Sequence, residues 1–352
     1  MDINGIDVGN LAIELPFEIP ATVPGRVLQV DGDQLCYQTG CFDDEPFSTA
    51  KSNFESVLQS WILMAGADRA VIHLTGDNKG GRYEIATLKE YQANRKGKVA
   101  PKHLAALRAY VQDNYGNCEY HYDQEADDGM AQANYAAIIY GNRDLSVICS
   151  ADKDLRMCSG LHLNTKTGEI IDVDGYGYVE LLEGKPKKLV GYGTAFFWAQ
   201  LLMGDTADNI PGLPACGPAT LVRYEEFRTK AIEKLLDQCA CGNQGKEDAA
   251  AEKIDALKHK ACGQVAAYHI IKHCTNDNEA LGAVLQAYRD HYGQGQFNYT
   301  AWDGTVKRAT AGTMMVEQAN LLWMRRYDGD RFMDFAAHVK DGRQWDGKAT
   351  GA

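Results

Sequence analysis

Three short apolar runs in this chain each end at a carboxylate, and that recurrence narrows the folds open to it. Arg26–Tyr37 (RVLQVDGDQLCY) alternates apolar residues and reaches Asp31-Gly32-Asp33. Ala70–Leu74 (AVIHL) ends close to Asp77, and Leu145–Cys149 (LSVIC) is followed at once by Asp152 and Asp154. Short apolar runs bounded by turn residues read as buried strands. Helical patterns lie between them: 51–66, with Phe54, Val57, Leu58, Trp61 and Ile62 spaced along one stripe, then 102–115 and the Ala-rich 127–140. Strands alternating with helices predict a mainly parallel sheet with helices on both faces. In such sheets functional groups gather at the carboxyl ends of the strands. Three strands therefore deliver acids to one edge, which predicts a site.

The 352 residues suggest about two lobes. Past residue 190 the pattern turns helical, with helices expected over 194–203, 218–224, 225–237, 264–291 and 315–327 and a polar helical insertion at 238–263. The division expected is an extended segment at 1–25, carrying Pro16, Pro20 and Pro24, an α/β core at 26–190, a helical lobe at 191–292 and a C-terminal helical region at 293–352.

No run approaches the roughly 18 apolar residues of a membrane span. The N-terminus lacks the basic and apolar blocks of a signal peptide. These features predict a cytoplasmic protein whose ten cysteines are mostly reduced thiols. A net charge of −12 argues against a globally basic nucleic-acid binder. A local one remains: Arg82, Lys89, Arg95, Lys96, Lys98, Lys102 and Arg108 face only Glu84 and Glu90 within one window. A positive strip on a negative body suits contact with a phosphate backbone.

The acids at strand and helix ends are Asp31, Asp77, Glu125, Asp127, Asp128, Asp152, Asp154, Asp205 and Asp208. Helix capping accounts for one or two of Glu125, Asp127 and Asp128. It does not account for nine acids converging. Packed carboxylates raise one another's pKa, and such a cluster normally holds divalent cations. Oxygen-only ligands select Mg²⁺ or Mn²⁺, and two such ions suit phosphodiester cleavage.

Five blocks, in order, resemble the 5′→3′ exonuclease/flap endonuclease superfamily: VDGD (30–33), Asp77 through YQANR (91–95), EADD (125–128), SADKD (150–154) and GDTADNIPGLPACGP (204–218). Phage 5′ exonucleases and the 5′-nuclease domain of bacterial DNA polymerase I are the members most similar in pattern, over roughly residues 26–225. The resemblance implies a PIN-like core with a mainly parallel sheet flanked by helices. It also implies a helical arch near 95–115, carrying the basic strip, and a helix–three-turn–helix DNA-binding lobe built on 204–225. By resemblance, Asp205 and Asp208 complete the metal cluster, two Mg²⁺ or Mn²⁺ ions do the chemistry, and K⁺ binds backbone oxygens of the three-turn element.

The activity implied is 5′→3′ DNA exonuclease with flap endonuclease cleavage, phage-encoded and serving replication or recombination. The substrate is duplex DNA with a 5′ end or flap, and the chain reads as a monomer. Asp31, Asp127, Asp128 and Asp152 are the leading ligands. Arg82, Tyr91, Gln92, Arg95, Lys96, Lys98, Lys102, Gly212, Gly217 and Thr220 are the expected DNA contacts.

Two departures stand out. The family usually has Tyr-Lys where this chain has Tyr91-Gln92, and often Lys where this chain has Ala219. Lys89 and Lys96 lie three before and four after position 92, so on a helix one of them would share its face and supply the missing charge. The departures also fit a non-catalytic DNA-structure-binding protein, while a PIN-type ribonuclease would share the acidic core. Cys239, Cys241, His259 and Cys262 lack the usual CxxC zinc spacing. Tyr83, Tyr91, Tyr110 and Tyr115 read as core or base-stacking residues, and His121 and His162 as structural. Arg325 and Arg326 read as solvent-exposed or near DNA.

Overall fold

The computed structural model describes residues 2–3, 6–7, 20–97, 99–184, 186–213, 234–235, 237, 242–249 and 262–340. A six-stranded sheet organises the N-terminal half. Its strands are β1 (Val27–Asp31), β2 (Arg69–Thr75), β3 (Cys118–His121), β4 (Ser146–Cys149), β5 (Gly160–Leu163) and β6 (Ile170–Val173), in the order β3-β2-β1-β4-β5-β6. All neighbours are parallel except β6, which returns antiparallel to β5. The strand order reverses between β1 and β4, and open parallel sheets bind ligands in the crevice at that switch point.

Helices α1 (Gly32–Thr39), α2 (Phe47–Met64) and α3 (Leu104–Asn114) contribute to one core together with β1, β2 and β4. Leu35, Phe54, Leu58, Trp61, Leu107 and Val111 pack there against Leu28, Val30, Ile72, Leu74, Val147 and Cys149. α1 begins where β1 ends because Asp31 caps it, accepting from Gln34 N at 2.9 Å. Only glycine fits at position 32, where an added Cβ would meet Ile72 Cγ2 at 2.6 Å.

The second core joins α4 (Ala126–Ile139) to the C-terminal half. Met130, Ala131 and Tyr135 of α4 share it with Phe197 and Trp198 of α5 (Thr194–Met203), with Trp323, and with Phe332 and Phe335. Helices α6 (Gln264–Ile271), α7 (Asp277–Tyr292), α8 (Ala311–Leu322) and α9 (Phe332–Lys340) complete it.

The three strand runs and the helices expected over 51–66, 102–115 and 127–140 lie within a few positions of those observed, while α1 and β3 were not expected. Elsewhere the chain differs. Two hairpins, β7 (Tyr178–Leu182) with β8 (Lys188–Tyr192) and β9 (Phe297–Thr300) with β10 (Val306–Ala309), stand where no strands were expected. The second turns through Asp303-Gly304, a dipeptide that favours tight turns. The helical stretch expected over 264–291 breaks after Ile271, and Asn276 caps the next helix by accepting from Glu279 N at 3.0 Å. The stretch expected as a helical arch is divided: Ala93–Arg95 is a single 3₁₀ turn, while α3 lies packed on the body through Leu107 and Val111. The three-turn element, with Gly217, Ala219 and Thr220, lies outside the described residues, as do Lys98, Cys239, Cys241 and His259.

Candidate active site and metal centre

Asp31, Asp77, Glu125, Asp127, Asp152 and Asp208 line one cavity of about 560 Å³ at the carboxyl edge of the sheet. The topology explains the meeting. β1 and β4 pair with Val30 beside Cys149, so the residues that follow them, Asp31 and Ser150, emerge side by side. Ser150 Oγ donates to Asp31 Oδ2 at 2.8 Å, and Asp152 N donates to Ser150 Oγ at 2.9 Å. α4 brings its acids to the same edge because Ala126 N donates to Thr75 Oγ1, at the end of β2, at 2.8 Å.

These acids form two groups with different electrostatics. Asp31, Asp127 and Asp152 have no ion pair to Lys or Arg among the described residues. Burial pushes the Asp31 carboxyl up to about 6. Burial and the charges of Asp31 and Asp152 push Asp127 well above the usual carboxylate range, and burial also raises Asp152. Carboxylates gathered without an ion pair of their own repel one another, and an oxygen-only donor set is of the kind that suits a hard divalent cation.

The second group is Asp154, Asp205 and Asp208, whose ligand oxygens lie within 4.8 Å of one another. Here cations of the chain are already seated. Lys153 Nζ bonds Asp154 Oδ1 at 2.6 Å and Asp205 Oδ2 at 2.9 Å, and Arg95 pairs with Asp208. Burial would raise Asp205, but its hydrogen bond with Asp154 and the Lys153 ammonium outweigh that and hold it low. Burial and Asp152 push Asp154 up. Asp205 and Asp208 are aimed by a reversal in which Asp205 and Ile210 exchange backbone bonds of 2.8 and 2.7 Å. Gly204 and Gly212, both at positive φ, close it: a Cβ on Gly212 would meet Gly204 N at 2.3 Å.

Several expected roles change. Asp128 is fully buried and not presented to the cavity. Arg82 grips it through two bonds of 2.8 and 3.0 Å, and Arg325 N donates to it at 2.9 Å. Burial would raise Asp128, but Arg82 outweighs it and holds the carboxyl low. Asp128 also completes a reciprocal cap with Glu125 at the start of α4, the ordinary role open to one or two of these acids. Arg82, expected on the DNA, is therefore interior: it is 2% exposed and also bonds the carbonyls of Leu321 and Trp323.

Tyr91, another expected DNA contact, is buried and reaches Asp208 Oδ2 at 3.1 Å and Glu125 Oε2 at 3.3 Å. Lys102 pairs with Asp44 and does not line the cavity. Lys96 pairs with Glu90, and Lys89 is exposed in a bend. Neither shares a helical face with Gln92, because residue 92 has φ +54° and no helix runs through it. Arg325 and Arg326 also resolve. Arg325 bonds Gly80 O, and Arg326 is buried over the Trp323 ring and paired with Asp330.

The sequence reading passed over three residues here. Asp33 lines the cavity, accepts from Thr75 N at 3.0 Å and pairs with Arg108. Lys153 was visible inside SADKD, but its position between two acids did not reveal where its ammonium goes. Lys79 lines the cavity, donates to Gln92 Oε1 at 2.6 Å and lies 3.7 Å from Glu125. Among the described residues no helix is long and apolar enough to cross a membrane.

No protein-family model matches the chain. The flap endonuclease Xni of Shewanella halifaxensis is 32% identical over 180 residues, which is 50% of this chain and 67% of that protein. Among solved structures, a bacteriophage T5 protein co-crystallised with metal ions matches with a TM-score of 0.39 at 17% identity, covering 75% of this chain and 93% of its own. A bacteriophage T5 flap endonuclease with DNA and metal ions matches with a TM-score of 0.39 at 15% identity, covering 84% and 99%. On the strength of the Shewanella relative, the chain belongs to the 5′→3′ exonuclease/flap endonuclease superfamily of structure-specific nucleases.

Proposed function

We propose that this chain is a divalent-metal-dependent 5′→3′ exonuclease on DNA that also cleaves 5′ flaps, yielding 5′-phosphate products. The observation that carries the reading is the convergence of Asp31, Asp127 and Asp152, from three separate elements, at the sheet's switch point, with no ion pair to Lys or Arg among the described residues. The named activity of the Shewanella relative supports the same reaction class.

In this reading Asp31, Asp127 and Asp152 hold one cation, with Glu125 and Asp77 beside them on the cavity wall. Asp154, Asp205 and Asp208 hold a second, once Lys153 gives up its place. Bound Mg²⁺ or Mn²⁺ lowers the pKa of water and neutralises charge developing on the phosphate oxygens. The protein's own part is positioning. Arg95, about half exposed at the cavity wall, pairs with Asp208 and stands where a phosphate would pass. Gln34, Ser150 and the α1 cap hold Asp31 in place. No general-base side chain is required. The setting proposed is phage DNA replication or recombination.

The test is cleavage of 5′-labelled duplex and 5′-flap DNA in Mg²⁺ and in EDTA, beside Asp127→Ala. Metal-dependent cutting that disappears in the variant supports the proposal. DNA that the wild type binds but leaves intact across Mg²⁺ and Mn²⁺ concentrations sinks it. That outcome would favour a DNA-structure-binding protein, a reading motivated by the Lys153 ammonium seated on the second acidic group.

A further inference from the structure

We propose that Lys79 supplies the ammonium that grips the phosphate at the reacting bond, with Gln92 as its holder; the assignment rests on the nuclease reading above. Among the described residues, three cations line the acidic cavity: Lys79, Arg95 and Arg108. Two are already committed to carboxylates, Arg95 to Asp208 and Arg108 to Asp33. Lys79 is different. Its hydrogen-bond partner is a neutral amide oxygen, Gln92 Oε1 at 2.6 Å, and the nearest carboxylate oxygen, on Glu125, stands at 3.7 Å.

That difference decides which cation is free to act. Pulling an arginine off a partly buried carboxylate leaves a charge uncompensated, which is costly. Trading an amide oxygen for a phosphate oxygen instead converts a neutral hydrogen bond into a charge-assisted one, which is stronger. An ammonium has three donors, and the Gln92 bond uses one. The Lys79 side chain is 24% exposed and lines the cavity.

Both ends of this arm are fixed. Gln92 is buried, its Nε2 donates to Asp208 Oδ1 at 2.9 Å, and its backbone N donates to Asp208 O at 2.9 Å. Its left-handed backbone, at φ +54°, turns the chain so that the amide lies across the cavity wall. On the other side, Lys79 leads into Gly80-Gly81, both at positive φ. Arg325 bonds Gly80 O, and a Cβ on Gly80 would meet the Arg325 guanidinium at 2.7 Å. The turn that carries Lys79 is thus packed against a fixed group. A cavity lined by seven carboxylates among the described residues repels a phosphate unless a cation meets it there, and Lys79 can do so while its neighbour Glu125 keeps its pairing with Arg82 at 3.1 Å.

The experiment compares wild type, Lys79→Ala, Gln92→Lys and the double variant Lys79→Ala/Gln92→Lys on 5′-flap DNA. Single-turnover cleavage is followed at saturating protein and Mg²⁺, with DNA affinity measured in Ca²⁺. Removing one charged donor to a developing oxyanion costs roughly 10²–10³ in rate. Lys79→Ala should lose on that order while its DNA affinity changes less than about threefold, and a lysine returned at position 92 should recover at least about tenfold. Recovery is the discriminating readout, because a lysine that merely supported the loop would not be replaced from position 92. Melting curves of all four proteins must coincide.

A Lys79→Ala protein that cuts within about threefold of an active wild type overturns this assignment and leaves the nuclease reading intact. So does a loss that Gln92→Lys fails to restore in a protein with unchanged melting. A wild type that cuts neither duplex nor flap overturns both.

Discussion

Arg82 and Asp128 lie side by side in the interior, joined by two bonds of 2.8 and 3.0 Å and both sealed from solvent. Breaking a buried pair by neutralising one member leaves the other charge without compensation, at about 3–5 kcal/mol. Asp128→Asn should therefore lower the urea midpoint sharply, by about that free energy, whatever it does to cleavage. Unchanged stability would mean that Asp128 is not an anchor.

Asp127→Asn should behave in the opposite way. Asp127 has no ion pair to Lys or Arg among the described residues, and burial, followed by repulsion from Asp31 and Asp152, raises its pKa. Removing its charge should leave the metal-free protein as stable as wild type or more so, and should abolish most of the gain in Tm on adding Mn²⁺. Differential scanning fluorimetry in EDTA and in Mn²⁺ reads both. A full Mn²⁺ response in the variant would take Asp127 out of the ligand set.

The pH dependence follows from Asp31. Burial lifts its carboxyl from an ordinary value of 3.8 to about 6. A carboxyl raised by folding favours the protonated native state, so its contribution is complete below pH 3.8 and is lost as pH rises through about 6. His73 and His162 act with the other sign. Burial depresses them to about 3 and about 4, so their contribution is present above pH 6.5 and is lost on acidification. Their part is common to the metal-free and metal-loaded protein and cancels in the difference. The Tm gain from Mg²⁺ should therefore be small at pH 5 and larger at pH 7.5. An equal gain at both would remove Asp31 from the cation site.

Lys153→Met should separate the two acidic groups. Without its ammonium, Asp154 and Asp205 lose their counter-charge, so the metal-free protein should be less stable. Calorimetric titration with Mn²⁺ should show the weaker of two binding events tightened by about tenfold or more, because the ion no longer displaces a resident cation. Weaker or unchanged binding would show that Lys153 does not compete for that place.

Much of this was legible in the sequence because strand ends are punctuated. Asp31 and Asp152 could be located from apolar runs that stop at acids, and Asp127 from the acids that open the Ala-rich helix. The Asp128 error has a physical source: adjacent acids at a helix start look equivalent in sequence, yet successive helical positions point about 100° apart. Asp127 faces the cavity, while Asp128 turns inward to Arg82. The Lys89 and Lys96 expectation failed because it assumed a helix through residue 92, where the backbone is left-handed. Lys79 escaped notice because its link to Gln92 spans 13 residues across a Gly-Gly turn. Spacing carries no information across such a gap. The hairpin of β9 and β10 could have been read from Asp303-Gly304, a signal passed over under the surrounding helical pattern.

The ties to Leu321, Trp323 and Arg325 also set an order of assembly. Arg82 finds two carbonyl acceptors there, and Asp128 finds a third donor. During synthesis, every acid of the cavity leaves the ribosome before these three groups do. The nascent chain thus holds a complete set of ligands on an unfinished mount. A nuclease built this way comes into register only after residues 321–325 have followed those acids out and tied down the start of α4.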